Sequence, residues 1–343
     1  MKPVSVCRTV AIALLALSLS APAAPAAEHD PWGTLTLQLE NDRLARTDRH
    51  YTHGTRLTWV SEKGKFIPDW AGEFLDWLYG FVGGGARKQI GYTLGQNIYT
   101  PEDISTAGLV PDDRPYAGWL YVGLSLHATN TETIGDQEFD VLDTMEVDVG
   151  IVGPQSFAED VQTAVHEVIG VGRANGWDNQ LKNEPGIVVV FERKWRPRSP
   201  FRLGALEVDA IPHAGASLGN IWTGANVGLT VRLGQDLSVD FGPPHIRPNL
   251  SGLGSFDSAR SFAWYLFAGA EARLVARNIF LDGNTFADSH SVPKERLVGD
   301  FPVGLAIVID RVRIAFTHAF RTREFRGQSR SDRFGALSVS WKF

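Results

Sequence analysis

The last ten residues of the chain constrain its fold more than any other segment. They read Phe-Gly-Ala-Leu-Ser-Val-Ser-Trp-Lys-Phe, and from Leu337 to Phe343 every second residue is apolar. A period of two places the apolar and the polar side chains on opposite faces of a β-strand. Soluble antiparallel sheets show the same alternation, but an aromatic residue that ends both the strand and the chain is typical of outer-membrane barrels.

The alternation recurs along the chain, with acidic and other polar residues opposite aliphatic ones, which suits a polar lumen and a lipid-facing exterior. An even number of strands brings both chain ends to the periplasmic side, and the barrel must close because no unpaired backbone edge can face lipid. We therefore predict an all-β fold, a transmembrane antiparallel β-barrel of about 12 strands with a short helix in an extracellular loop. The candidate strands are 33–41, 51–60, 88–98, 117–129, 141–152, 185–195, 201–213, 220–233, 260–275, 297–310, 311–322 and 332–343.

The first residues have the features of a cleaved signal peptide. Two basic residues precede an apolar run over 10–19, and small residues follow as far as Ala27. This order predicts a signal peptide over 1–27 and a single barrel domain over 28–343, exported to the outer membrane of a Gram-negative bacterium. The alternative, a membrane anchor, would need a longer apolar run.

The composition excludes several classes of function. The only cysteine, Cys7, lies in the predicted signal peptide, so the mature chain has neither a disulfide nor a thiolate metal site. Without Lys2 and Arg8, 31 basic side chains oppose 39 acidic ones, which argues against a nucleic-acid partner. The expected partners are therefore the membrane and its lipids, and we expect the protein to be a monomer.

The strand count assigns each connection to a side of the membrane. Odd-numbered connections face outward and even-numbered ones face the periplasm, where short turns such as 196–200 are expected. The long second connection, 61–87, carries Trp70, Phe74 and Trp77 at near-helical spacing. This spacing predicts an interfacial amphipathic helix.

The first outward connection begins with a polar cluster, Glu40-Asn41-Asp42-Arg43, and is followed by Thr52. Carboxylate, amide and hydroxyl oxygens together can bind a hard cation such as calcium. Asn and Asp also favour ordinary turns, so the cluster alone leaves both interpretations open.

The third connection carries the sequence Asp-Asp-Arg-Pro-Tyr over 112–116. Aromatic rings anchor barrels at the membrane interface, and Tyr116 fits that role. Arg114 suits either an ion pair in the lumen or a contact with a substrate phosphate. The residues alone do not choose between these roles.

The fifth connection contains a predicted helix over 156–170. Ser156 and Glu159 form a capping box, and Gly170 is a stop signal. Gln162 and His166 are four residues apart and share one face of this helix. A barrel does not need the helix, which would hold His166 over the lumen or the rim, where a neutral imidazole can take a proton from water near pH 7. The alternative is a surface histidine without a role.

Seven short motifs in one order resemble the lipid A 3′-O-deacylase family of the outer membrane. They extend over nearly the whole mature chain and are densest from residue 36 to residue 186. Several motifs in a fixed order are far more specific than any one of them. They are Glu-Asn-Asp at 40–42, Tyr-Thr-x-Gly at 51–54, Gln-Asn-Ile-Tyr-Thr-Pro at 96–101, Asp-Arg-Pro-Tyr-Ala-Gly-Trp at 113–119, Gly-Pro at 153–154, Val-Gln-x-x-x-His at 161–166 and Gly-Trp-Asp-Asn-Gln at 176–180.

The resemblance implies a twelve-stranded barrel that hydrolyses the ester linking the 3′-O acyloxyacyl group to lipid A. It implies lipid A, within lipopolysaccharide of the outer leaflet, as the partner, and a divalent cation, usually calcium, as the cofactor. Carried over by position, it makes His166 the general base that activates water. Asn41, Asp42, Thr52 and Gln162 are the other expected catalytic residues, and Asp42 is also the expected calcium ligand.

The chain departs from the family pattern in two places. The best-known members carry a Lys-Arg pair in the third connection, whereas 102–111 has no basic residue here. Only Arg114 is near, and we place Arg114 and Tyr116 among the expected substrate-binding residues. Members also have a Glu six residues after the histidine, where this chain has Gly172. Both departures bear on which lipid or acyl chain is cleaved.

Two other functions fit the same barrel. A porin-like or binding barrel would use the polar clusters only as rim and lumen residues. An outer-membrane phospholipase would need a serine paired with a histidine, and the sequence offers no convincing pair.

Overall fold

The computed structural model describes residues 32–41, 50–79, 86–170, 172–243, 256–257 and 262–343. The predicted signal peptide and Asp42 lie outside these residues. The helices and strands are β1 (Gly33–Asn41), β2 (His50–Ser61), α1 (Asp69–Tyr79), β3 (Arg87–Thr100), β4 (Ala117–Ile134), β5 (Gln137–Val152), α2 (Ala158–Ile169), β6 (Glu184–Pro197), β7 (Phe201–Leu203), β8 (Leu206–Gly219), β9 (Trp222–Gln235), β10 (Phe262–Asn278), α3 (Ile279–Asp282), β11 (Leu297–Ile309), β12 (Val312–Arg321) and β13 (Asp332–Lys342).

These strands form one antiparallel sheet that closes on itself. Strands adjacent in sequence pair with each other, β1 pairs with β13, and β6 pairs with β8 past the three-residue β7. Closure gives every long strand a neighbouring strand on both sides over most of its length, which lipid cannot provide. The predicted barrel of 12 long strands is confirmed, and the predicted strand 201–213 is divided between β7 and β8.

Side chains alternate between the lumen and the lipid-facing wall as the sequence predicts. In β1, Thr34, Thr36, Gln38 and Glu40 are buried inside, and the leucines between them face outward. None of the described helices is long and apolar enough to cross a membrane. The exposed apolar side chains of the strands include Leu37, Leu57, Tyr92, Leu94, Val122, Val149, Ile187, Val227, Leu266, Phe301, Ile314 and Val339.

The interior of the barrel is filled with ion pairs and aromatic rings. Arg56 Nη2 lies 2.7 Å from Glu146 Oε2, and the rings of Tyr99 and Phe280 stack with centroids 4.1 Å apart. A cavity beside Asp300 has a volume of about 30 Å³, which is room for about one water molecule. Among the described residues, charged and aromatic side chains of this kind therefore fill much of the lumen.

The connection between β9 and β10 folds back into the periplasmic end of the lumen. Asp240 follows a 3₁₀ turn there and is buried. Its Oδ1 accepts a hydrogen bond from Arg232 at 2.7 Å, and its Oδ2 accepts one from Arg313 at 3.0 Å and one from Tyr265 at 2.7 Å. Burial alone would raise the pKa of Asp240, but the guanidinium groups of Arg313 and Arg232 hold it below its usual value. One carboxylate thus ties this connection to three strands.

Helix α1 packs against the outer wall at the periplasmic end, where the second connection was expected to form a helix. Ala71 is fully buried against a cluster that includes the outward-facing Ile90 and Leu126. Trp70 and Trp77 on the same helix are exposed, as expected of aromatic residues at a lipid interface.

Replacing Asp240 with Ala should destabilise the barrel by about 3 kcal/mol, because Arg232 and Arg313 lose a buried counter-ion. The measurement is the denaturant midpoint, read from the gel shift between the folded and unfolded barrel. Asp288→Ala, at an exposed position, is the control and should leave the midpoint unchanged. Equal midpoints for the two variants would contradict the role of Asp240. Since folding lowers the pKa of Asp240, its contribution is complete above about pH 4 and is lost as the pH falls through the folded-state pKa.

Candidate active site on the outer wall

Helix α2 lies against the outside of the barrel and not over the lumen. Gln96 on β3 and Gly118 on β4 occupy outward-facing positions of their strands. Gln96 Nε2 donates a hydrogen bond to the Ser156 carbonyl at 2.7 Å, and a Cβ on Gly118 would collide with Ser156 and Ala158. His166 was expected over the lumen or the rim, and the structure places its helix at the rim on the membrane side of the wall.

The start of α2 differs from the prediction. Phe157 is the N-cap, with a left-handed φ of 57° and no side-chain cap. Ser156 closes the preceding 3₁₀ turn, and its Oγ donates to the backbone carbonyl three residues earlier at 2.6 Å. The predicted capping box of Ser156 and Glu159 is therefore wrong. The predicted end of the helix is confirmed, since Gly170 is a left-handed C-cap.

The buried face of α2 carries the two predicted active-site residues. Gln162 and His166 are each 3% exposed, one helical turn apart. Trp177 Nε1 donates a hydrogen bond to Gln162 Oε1 at 2.8 Å. Because this bond fixes the oxygen of the amide, Nε2 is left as a buried donor with no hydrogen-bond partner among the described residues.

The imidazole of His166 is held in one orientation. Its Nδ1 lies 2.7 Å from the carbonyl oxygen of Gly172, and a carbonyl can only accept a hydrogen bond. Nδ1 therefore carries the proton in the neutral ring, and Nε2 keeps its lone pair. A histidine in this tautomer can act as a base through Nε2.

Asn41 belongs to a row of cross-strand partners on the outer face of the wall, and the start of α2 packs on the same row. Asn41 pairs with His53, His53 with Ile98, and Ile98 with Gly118, and all four occupy outward positions. Ala158 and Ile98 share one buried cluster. The start of the helix thus packs against β3 and β4, at the row that also contains His53 of β2 and Asn41 of β1.

Thr52 is the extra residue of a β-bulge in β2. The register with β3 shifts between Tyr51 and His53, and only the backbone of Thr52 is described. Bulges re-aim side chains and often lie beside active sites. Asp42, the expected metal ligand, is outside the described residues, and among those described no three or more His, Cys, Asp or Glu side chains form a group that could hold a metal ion.

Trp177 and Tyr116 join the third and fifth connections over the helix. Their ring centroids are 5.0 Å apart, and Tyr116 is 2% exposed. Burial raises the pKa of the Tyr116 phenol to about 12, so the phenol is neutral. Asn179 Nδ2 donates to the Ala107 carbonyl at 2.9 Å. The motif Gly-Trp-Asp-Asn-Gln at 176–180 therefore positions Gln162 and fastens the two connections to each other.

Arg114 lies on the other side of the wall, inside the barrel. It is 1% exposed, its Cζ is 4.8 Å from the centre of the Tyr99 ring, and its Nη1 is 3.5 Å from Glu324 Oε2. Of the two roles that the sequence left open, this position favours the ion pair in the lumen. Arg114 is not brought to His166, and the substrate contacts expected of Arg114 and Tyr116 stay predictions, because both side chains are covered.

The sequence analysis quoted Gln96, Gly118 and Trp177 within motifs but gave them no role. Gln96 and Gly118 occupy outward positions of strands whose other outward side chains are mostly apolar. A polar or missing side chain at a position that should face lipid is the signal that could have found them.

A family model described as outer membrane protein LpxR matches residues 10–343. Among solved structures, LpxR from Salmonella typhimurium has a TM-score of 0.72 and 21% sequence identity, covering 90% of this chain and 100% of that one. The translocator domain of the autotransporter NalP from Neisseria meningitidis has a TM-score of 0.39 and 10% identity, covering 98% of each chain. The beta domain of the Bordetella autotransporter BrkA has a TM-score of 0.41 and 8% identity, covering 91% of this chain and 98% of that one. No curated protein matches the sequence.

Gly118→Ala should loosen the contact between α2 and the wall, because the added methyl group has no room beside Ser156 and Ala158. We expect amide hydrogens of α2 to exchange about tenfold faster, measured by mass spectrometry on peptides that contain the helix. Gly108→Ala is the control, because a Cβ at Gly108 meets no atom within 4 Å. Unchanged exchange in the Gly118 variant would show that the helix does not depend on this close approach.

Proposed function

Because this chain belongs to the LpxR family of outer membrane proteins, we propose that it is a lipid A deacylase, which hydrolyses the ester that links the 3′-O acyloxyacyl group to lipid A. The observation that carries the proposal is the orientation of His166. Its Nδ1 is held by a backbone carbonyl, and its unprotonated Nε2 belongs to a helix docked on the membrane side of the wall.

The position of α2 suits a substrate that resides in a membrane. The start of β1 and the end of β13 lie together at one end of the barrel, where Trp32 N donates a hydrogen bond to the carbonyl of Phe343, and α2 lies at the opposite end. In barrels of this class the chain ends are periplasmic, so α2 is level with the outer leaflet. Lipid A would reach the outer wall by lateral diffusion and would not need to enter the lumen.

Ester hydrolysis requires a nucleophile and a group that stabilises the oxyanion of the tetrahedral intermediate. His166 Nε2 would take a proton from a water molecule as the water attacks the ester carbonyl, and would return it to the departing alkoxide oxygen. The free N–H groups of Gln162 are one source of oxyanion stabilisation. Trp177 would contribute by keeping this amide in the required orientation.

The length of α2 is compatible with joint action of His166 and Asn41. A helix rises about 1.5 Å per residue, so His166 lies about 12 Å along the axis from Ala158. Strands are about 4.8 Å apart, so this length is enough to carry the third turn of the helix from β3 to β1. His53 of β2 and Asn41 of β1 occupy the same row.

The proposed cofactor is calcium. The expected ligand is Asp42, and we propose that Asn41, on the outward face, adds an amide oxygen, a hard ligand of the kind calcium prefers. Asp42 and Thr52 would add a carboxylate and a hydroxyl group. When bound, calcium would act as a Lewis acid on the ester carbonyl oxygen.

His166→Ala should abolish release of the acyloxyacyl group from lipid A, because loss of a general base lowers the rate by about 10²–10⁴-fold. The measurement is mass spectrometry of lipid A from cells that express the protein and its variants. Glu167→Gln, the exposed neighbour on the same helix, is the control and should retain activity. The variant barrels should still show the gel shift of a folded barrel.

Full activity of the His166 variant would rule out this histidine as the base. Release of fatty acid from glycerophospholipids, with lipid A left intact, would instead identify the protein as a phospholipase.

Chelation of calcium should stop acyl release by the purified protein, and added calcium should restore it. Asp42→Asn should raise the calcium concentration needed for half-maximal activity by about tenfold or more, because the ion loses a charged ligand. Asp288→Ala, at an exposed loop position, should leave the calcium dependence unchanged. Activity that is the same in excess chelator would contradict a metal-dependent mechanism.

The alternative of a porin is disfavoured by the filled interior. The ion pairs of the lumen and the connection tied by Asp240 occupy the space that a porin would leave open to water.

A further inference from the structure

The wall of the barrel has a gap between β6 and β8 in its periplasmic half. The two strands pair only over 188–194 and 213–219, and the short β7 pairs with residues 206–208 of β8. Among the described residues, 209–212 of β8 therefore has no partner strand on this side. Pro197 and Pro212 lie on the two sides of the gap, and neither has an N–H with which to continue the ladder.

An apolar groove covers the outside of the gap. Its volume is about 760 Å³, which is within the range of ligand-binding clefts. Leu229 and Val231 form part of its floor and are 43% and 42% exposed on the lipid-facing side. The groove is continuous with the lipid-facing wall, and its other apolar side chains include Phe139, Phe201, Val208 and Ala210.

A polar pocket of about 190 Å³ lies on the inner side of the same gap. Its lining includes Asp140, Arg196, Arg198 and Ser238, and it shares Asp209 with the groove outside. A cavity that is apolar on the membrane side and polar on the inner side matches a molecule with an acyl chain and a polar head. Neither water alone nor a purely apolar molecule would satisfy both linings.

Side chains of both charges lie near the polar pocket, where the polar head of such a molecule would bind. Arg198 Nη1 is 3.2 Å from Glu138 Oε2, and these side chains are 48% and 60% exposed. The Nε of Arg198 is also 3.4 Å from Oδ1 of Asp140, which leaves Nη1 and Nη2 as the groups for a phosphate. An ion pair as exposed as this one contributes little to stability. A zwitterion could therefore replace it at small cost, with a phosphate on Arg198 and an ammonium group on Glu138.

We propose that this gap binds one zwitterionic phospholipid of the periplasmic leaflet. One acyl chain lies in the groove over Ala210, and the headgroup lies against Arg198 and Glu138. This site is separate from the proposed active site, which lies at the other end of the barrel.

The test is native mass spectrometry of the full barrel, released from micelles that contain equal amounts of phosphatidylethanolamine and phosphatidylglycerol. Ala210→Trp fills the groove with an apolar side chain that still faces outward. Ala272→Trp is the matched control, because Ala272 also faces outward on β10 and does not line the groove. Both variants must show the gel shift of a folded barrel.

The expected result is one retained phosphatidylethanolamine in the wild type and in Ala272→Trp, with the bound fraction reduced about tenfold in Ala210→Trp. The double variant Arg198→Ala, Glu138→Ala should retain a lipid but lose the preference for phosphatidylethanolamine. Equal retention in Ala210→Trp and Ala272→Trp, no bound lipid in the wild type, or a preference for phosphatidylglycerol would each overturn the proposal. Acyl release from lipid A is not part of the measurement, so the outcome does not depend on the proposed function.

Discussion

Every backbone N–H and C=O group that crosses hydrocarbon needs a hydrogen-bond partner within the protein, and the rest of this structure depends on that requirement. It forces β1 to pair with β13 and so closes the sheet. Closure in turn gives each residue of a strand one of two environments. Apolar side chains face lipid, and polar ones must find partners in a narrow lumen, as Arg56 does with Glu146. The two sites that we propose depart from these requirements in different ways. At the proposed active site, the outward positions of Asn41, His53 and Gly118 carry a polar side chain or none. At the proposed lipid site, a stretch of β8 has no partner strand.

The sequence predicts most of the fold because the requirement leaves a simple pattern. The alternation of apolar and polar residues predicted all twelve long strands, and the end of β13 was predicted within one residue of its observed position. The pattern says less about connections. Ser156 has the residue type of an N-cap, but close packing on Gly118 draws it into a 3₁₀ turn, and Phe157 takes the capping position.

The site is harder to predict than the strands because its geometry is tertiary. The sequence identified the helix and the shared face of Gln162 and His166, but not the side of the wall on which the helix docks. That choice is made by Gln96 and Gly118, which lie 60 and 40 residues before Ser156 and Ala158. For the same reason the sequence could not place Arg114, whose partner Glu324 is 210 residues away.

Gly172 shows how a backbone group can take over a role that sequence comparison assigns to a side chain. The resemblance to the family leads us to expect a Glu at this position, and a glycine there suggests the loss of a partner for the histidine. In this structure the carbonyl of Gly172 itself accepts the hydrogen bond from His166 Nδ1. A carbonyl fixes the same tautomer as a carboxylate would, because either group can accept the hydrogen bond from Nδ1. The glycine therefore preserves the orientation in which Nε2 can accept a proton.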